Sequence, residues 1–287
     1  MKQFEGLELL QQSLSGLPQW VTSRILQQIN QLSHYEPVIG IMGKTGAGKS
    51  SLCNALFAGD VSPVNNVAAC TREPMRFHLQ VGKRVMSLVD LPGVGESNAR
   101  DVEYAALYRK QLPQLDLVLW LIKADDRALG VDEQFYHQVI GEAYRHKVLF
   151  VISQSDKAEP TSGGDKLSRE QKQNISRKIC LLHELFQPVN PICAVSVRLH
   201  WGLRVMAERM IRCLPREASS PVAVQLSAPL RTDAVNKKAR DDFGETVGSV
   251  LDTVSSLPLI PAPIRTVIQS VRNIVVSVAR AVWDFFF

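Results

Sequence analysis

The chain has 287 residues, 45% hydrophobic and 21% charged, which is the composition of a soluble globular protein with room for one large domain and extensions. Its formal charge of +5 admits an RNA, ribosome or anionic-membrane partner without requiring one. Five cysteines form no C-x-x-C pair, and their odd number argues for reduced thiols in the cytoplasm. Neither a secretory leader nor an apolar run of membrane-spanning length is visible, so a cytoplasmic protein is expected.

Residues 1–36 read as one or two helices, with Trp20, Ile25, Leu26, Ile29 and Leu32 at helical spacing. Pro37 ends that pattern, and Val38 to Met42 follows as a short buried strand. Gly43 to Gly48 is a loop, and Ser50 to Ala58 a helix stopped at Gly59. The segment 60–73 reads as a loop on its Pro63 and Asn65-Asn66 turn signals. Met75, Phe77 and Leu79 alternate as one strand of a hairpin whose partner runs from Val85 into Asp90. A helix is expected over 99–112, then a strand at Leu117 to Ile122 whose continuous apolar run suits burial on both faces. Helix 132–142, strand Val148 to Ile152, helix 168–186, strand Ile192 to Val195 and helix 202–213 complete the alternation. This predicts a doubly wound α/β sheet, mostly parallel, with one antiparallel edge strand from the hairpin.

Composition then divides the chain into an N-terminal helical extension (1–36), an α/β domain (37–214), a linker (215–234) rich in Pro and Ser, and a C-terminal amphipathic helical segment (235–287). Within the last, Arg265, Gln269, Arg272, Asn273, Ser277, Arg280 and Asp284 share a polar arc opposite Ile268, Val275, Val278, Val282 and Phe286. Such a basic helix suits three surroundings: the α/β domain or N-terminal helices, a second copy of the chain, or peripheral membrane contact through 264–287.

Gly43-Lys44-Thr45-Gly46-Ala47-Gly48-Lys49-Ser50 fits G-x-x-x-x-G-K-S, between a strand and a helix that continues through Ser51. Glycines let successive N–H groups turn toward phosphate oxygens, and the positive end of the helix faces the same anion. Lys49 would neutralise the β- and γ-phosphates, and the Ser50 hydroxyl would ligate Mg²⁺. Asp90-Leu91-Pro92-Gly93, one hairpin downstream, offers a carboxylate for Mg²⁺ through water and a Gly93 N–H for the γ-phosphate. Thr71 is the best placed hydroxyl to join the Mg²⁺ shell, with Ser62 as competitor.

On these motifs the chain resembles the translation-factor-related small GTPases, especially the Era-like and HSR1-type GTPases, over residues 37–214. More narrowly it resembles the prophage-encoded GTPases of enteric bacteria. The resemblance implies a P-loop GTPase fold binding GTP or GDP, and makes Ser153-Gln154-Ser155-Asp156 and Ser196-Val197-Arg198 the base-reading motifs. Asp156 could then accept from the guanine N1–H and exocyclic amine, a donor pair adenine lacks. The Val197 N–H would meet the guanine O6, and Gln154 could lie along the base. The family pattern at these two places is Asn-Lys-x-Asp and Ser-Ala-Lys, so the guanine readers are kept and the usual bracing residues are not.

Hydrolysis needs the γ-phosphate neutralised and a water held in line. Many small GTPases carry glutamine after the glycine corresponding to Gly93, and here Val94 stands there. Glu96, Ser97, a group from a partner, or main chain of the 60–72 loop could place the water instead. The reading is therefore a slow GTPase switch, accelerated by an activating protein or by homo-oligomerisation. Two alternatives stand beside it: a nucleotide-dependent structural or membrane-associated protein with negligible turnover, and an RNA- or ribosome-associated GTPase.

Overall fold

The computed structural model describes residues 2–58, 60–63, 75–82, 84–94, 98–161 and 164–287. They fall into two compact units: a helical one of residues 1–36, 215–224 and 233–287, and an α/β one of residues 37–214 and 225–232. Helices α1 (Lys2–Ser13) and α2 (Gln19–Leu32) open the helical unit.

The α/β unit is built on seven strands: β1 (Val38–Gly43), β2 (Asp60–Pro63), β3 (Met75–Val81), β4 (Arg84–Asp90), β5 (Leu117–Lys123), β6 (Val148–Ser153) and β7 (Cys193–Ala194). Their order is β2-β3-β4-β1-β5-β6-β7. The run from β4 to β7 is parallel, and β3 pairs antiparallel with β4. The segment 60–73, expected as loop, contributes β2, whose Asp60–Pro63 pairs antiparallel with Phe77–Gln80. Four residues are too few to display a period-two pattern, so pairing with a neighbour decides their conformation.

The central strands are buried along nearly their whole length, which parallel strands covered by helices require. Those helices are α3 (Lys49–Leu56), α4 (Asn98–Gln111), α5 (Gly130–Phe135), α6 (Gly141–Tyr144), α7 (Arg169–Phe186) and α8 (Leu203–Cys213), with a π turn at Tyr136–Ile140 between α5 and α6. Trp120 of β5 packs on Phe150 of β6 at 5.3 Å between ring centroids, and Phe150 on Phe186 of α7 at 4.7 Å. A capping box between Ser168 and Gln171 starts α7.

Residues 215–234, expected as linker, instead hold α9 (Arg216–Gln225), with Pro221 inside it. Ser219 and Ser220 read as linker residues by composition, yet both are buried because their hydroxyls donate to the Arg216 and Ala239 carbonyls. The chain ends in α10 (Asp233–Ser256), α11 (Ala262–Ala281) and α12 (Trp283–Phe286). The buried stripe of α11 is Ile268, Val275, Val276 and Ala279, continued by Val282, Trp283 and Phe286. Arg272 and Arg280 do not simply face solvent with the polar arc: they cross to Asp252 and Glu245 of α10. The apolar side of 264–287 thus packs inside the helical unit, against α10 and α1, leaving Ile274 exposed.

The Trp283 Nε1 donates to Ser220 Oγ at 2.9 Å, joining α12 to α9. Trp283→Ala empties this buried site and leaves a hydroxyl without its donor, so it is expected to cost about 3–5 kcal/mol. Chemical denaturation followed by circular dichroism measures this directly; a loss below about 1 kcal/mol contradicts a packed C-terminus.

Candidate functional site

The expected site residues gather where the parallel strands end. In an open α/β sheet the carboxyl ends of the strands, near the point where the strand order reverses, form the natural ligand crevice. Here β1, flanked by β4 and β5, releases Gly43 into the loop Lys44–Gly48. Gly46 and Gly48 adopt φ of 77° and 87°, a left-handed conformation that costs glycine little and turns the loop tightly into α3. Thr45, Gly46, Ser50 and Ser51 are exposed, whereas Ala47 is buried and anchors the loop. The first N–H groups of α3 have no intrahelical carbonyl partner and lie at its positive end, a combination that favours an anion.

The Lys49 ammonium donates to the Gly43 carbonyl at 2.9 Å and stands 3.8 Å from Asp90 Oδ1 at the end of β4. Burial pushes the Asp90 carboxyl above its ordinary range, and Lys49 only partly offsets that. Asp90 Oδ1 is buried without a hydrogen-bond partner, an expensive state for a carboxylate oxygen. A hard cation beside it would satisfy that oxygen, and Ser50 lines the same 170 Å³ cleft with Lys49 and Asp90. These residues therefore fit Mg²⁺.

Past Asp90 the chain turns across the loop. A Cβ added to Gly93 would lie 2.6 Å from the Gly43 carbonyl oxygen, so only glycine permits this approach. Tyr108 of α4, fully buried, donates to the Pro92 carbonyl at 3.0 Å and fixes the same turn. Val94 points into the hydrophobic core, where it is 2% exposed. Thr71 and Glu96 lie outside the described residues, as do Ser97 and most of the 60–72 loop.

The base side is built from the ends of β6 and β7. Gln154, in a left-handed conformation at φ 51°, donates through Nε2 to the Gly46 carbonyl at 2.6 Å. A lost brace was expected here, yet this bond ties the loop after β6 to the phosphate loop. Ser153 supplies less: its buried hydroxyl has no hydrogen-bond partner. Asp156 Oδ1 accepts from Ser196 Oγ at 2.6 Å, and Oδ2 from Arg198 Nε at 3.0 Å. Burial raises the Asp156 carboxyl, but these two donors outweigh it and hold the group below its usual range. Val197 follows in the same turn, where its carbonyl accepts from the His200 N–H.

Lys44 does more than line the loop. Its ammonium bonds Asp126 Oδ2 at 3.0 Å and the Ala128 carbonyl at 2.6 Å, and it stands 2.8 Å from Asp132 Oδ2. Burial works against the Lys44 charge, but the bonds to Asp132 and Asp126 outweigh it and raise its affinity for the proton. Asp132, 3% exposed, is raised by burial that Lys44 only partly offsets. Sequence reasoning missed this clamp. The acid pair Asp125-Asp126, just after the apolar run of β5, is its one trace in the sequence.

A family model described as 50S ribosome-binding GTPase, MMR_HSR1, matches residues 38–154. Over its full 287 residues the chain is 79% identical to YfjP of Escherichia coli, each covering 100% of the other. It is 30% identical over 166 residues to GTPase Der of Leptospira borgpetersenii, spanning 56% of this chain and 32% of Der. The solved structure of Era in complex with MgGDPNP and a segment of 16S ribosomal RNA is 21% identical, with a TM-score of 0.46, covering 67% of this chain and 68% of that one.

Removing Lys44 strands Asp132 in a buried position, which is expected to cost about 3 kcal/mol at neutral pH. Without Lys44 the folded carboxyl at Asp132 stands still further above its unfolded value. The folded state then holds more protons than the unfolded one, and the lost stability returns as pH falls toward about 4. Urea denaturation of Lys44→Met across that range should show a deficit that shrinks with acidification. A deficit independent of pH would place the buried charge elsewhere.

Proposed function

The chain belongs to the MMR_HSR1 family of GTPases, and from that premise we propose that it binds GTP and GDP with Mg²⁺ and acts as a slow nucleotide-dependent switch. The observation that carries this reading is the convergence of Lys49, Ser50 and Asp90 on one cleft, with a buried carboxylate oxygen that has no hydrogen-bond partner. Lys49 and the loop N–H groups would bind the β- and γ-phosphates, and the Mg²⁺ held near Ser50 and Asp90 would supply further positive charge to them. Asp156 would select guanine, because its carboxylate accepts from a donor pair that adenine does not present. Thr71 remains the proposed second hydroxyl on Mg²⁺ after Ser50, and Glu96 the proposed water-positioning acid.

Slow turnover follows from Val94. Its side chain is committed to the core, so the position that often orients the attacking water cannot do so here. A group from an activating protein or from a second copy of the chain would then complete the site. The switch reading rests on Gly93, whose N–H would sense a γ-phosphate; its backbone presses on the loop, and Tyr108 ties the same turn to α4.

An RNA or ribosome partner draws its support from the description of the family and from the mild basic excess. Peripheral membrane contact through 264–287 has weaker support, because Trp283 and Phe286 are buried in the helical unit. Among the described residues no helix is long and apolar enough to cross a membrane.

Calorimetric titration with GTP, GDP and ATP tests the core of the proposal. Lys49→Ala should weaken every nucleotide by about tenfold or more, as loss of a charged hydrogen-bond donor implies. Asp156→Asn should weaken GTP and GDP by a comparable factor and leave ATP unchanged. Equal affinity for ATP and GTP in the unaltered protein would overturn the guanine assignment.

A further inference from the structure

The carboxylate assigned to reading guanine already has a cationic partner within the chain. Asp156 and Ser196 are both largely buried, with the Asp156 side chain 11% exposed, while the Arg198 side chain is 51% exposed. A nearly buried carboxylate paired with a half-exposed guanidinium has that guanidinium on its outer side, where a base would arrive. Ser196 Oγ also accepts from the Leu199 N–H at 3.2 Å, so the hydroxyl on Oδ1 is held in place by its own turn. Arg198 is held differently. Its Nε reaches Asp156 Oδ2 and its Nη2 reaches the Gly164 carbonyl at 3.4 Å, two bonds that only a planar fork can make together.

We propose that Arg198 is a latch on the base reader, competing with guanine for Asp156 and swinging away when a guanine nucleotide binds. This rests on the assignment of Asp156 to the guanine edge. Each carboxylate oxygen has lone pairs to spare, so the competition is for approach: the Arg198 guanidinium stands over the exposed side of Oδ2, and a base amine arriving there requires it to yield. The latch lowers affinity for guanine nucleotides by the factor with which the ion pair forms in their absence. Adenine offers no donor pair to Asp156, so it neither opens the latch nor suffers from it. Arg198 is therefore a specificity-setting residue: it narrows the margin between guanine and adenine without touching the phosphate side. It also neutralises a carboxylate that would otherwise be buried without a counter-charge whenever no nucleotide is bound.

Calorimetric titration of the full chain with GDP and with ADP, for the unaltered protein and for Arg198→Met, decides the matter. Methionine keeps an aliphatic stem of similar length and removes the charge. The latch requires GDP to bind Arg198→Met about two- to fivefold tighter, the range of a partly exposed ion pair, with ADP affinity unchanged. Arg198→Lys, which can keep one of the two bonds, should fall between them. The gain should vanish when Asp156→Asn is added, because nothing is then latched. GDP affinity that stays the same or weakens in Arg198→Met, or ADP affinity that rises in step, overturns the latch while the guanine assignment stands. Failure of the unaltered protein to bind GDP overturns that assignment and the latch with it. Thermal melting without nucleotide reports whether each variant folds, and Arg198→Gln serves as a second neutral variant should methionine unsettle the turn.

Discussion

The backbone of Gly93 lies against Gly43 and Lys44 so closely that a methyl group would have to overlap a carbonyl oxygen. This contact is where the end of β4 meets the end of β1, and most of the site follows from it. With Gly93 there, Asp90 three residues earlier is brought beside Lys49 and Ser50, and the Pro92 carbonyl is left facing Tyr108. The approach is possible because β1 and β4 are adjacent and parallel in the sheet, so their carboxyl ends point the same way. It is also sensitive, since a group arriving between the two segments must move one of them. A γ-phosphate arriving there would have that effect, which is the physical basis of the proposed switch.

Lys44 and Lys49 divide the loop between them. Lys49 turns inward to the Gly43 carbonyl and Asp90, toward the phosphate crevice. Lys44 turns the other way, to Asp126, Ala128 and Asp132, and so moors the loop to the segment after β5. One cation serves the ligand and the other the scaffold, although both sit in one eight-residue motif. The mooring matters because a loop of exposed Thr45 and Gly46 has little apolar contact of its own beyond Ala47. A charged anchor whose carboxylates are largely buried holds such a loop more firmly than a surface pair would.

The phosphate half of this site was legible in the sequence because its signals are local: Gly43–Ser50 is one contiguous string, and Asp90-Leu91-Pro92-Gly93 another. The alternation of strands and helices was legible for the same reason, since long apolar runs such as Leu117–Lys123 leave few alternatives. What escaped was set by pairs distant in sequence. Asp132 acquires its role only because folding puts it beside Lys44, 88 positions earlier by number. Ser219-Ser220-Pro221 reads as a linker until the Ala239 carbonyl and the Trp283 indole supply partners for the Ser220 hydroxyl. Arg272 and Arg280 look like a solvent face of α11 until α10 presents Asp252 and Glu245 to them. In each case composition assigned a polar residue to water, and a tertiary partner replaced the water.

On the base side, the residues in the family's bracing positions differ in the contacts they make. Where the family pattern Asn-Lys-x-Asp opens with asparagine and lysine, this chain has Ser153 and Gln154. Ser153 is too short to find a partner, and its hydroxyl is left buried and unbonded. Gln154 reaches the Gly46 carbonyl, so an amide ties the base loop to the phosphate loop. A neutral amide bond is weaker than a charged one, and it leaves no positive charge beside the base. A cation is found instead at Arg198, bonded to Asp156 itself. The Asp156 carboxylate thus has its counter-charge within the chain, and the proposed latch makes that same cation a competitor for the base. On the proposed latch, recognition of guanine would depend on moving that one side chain.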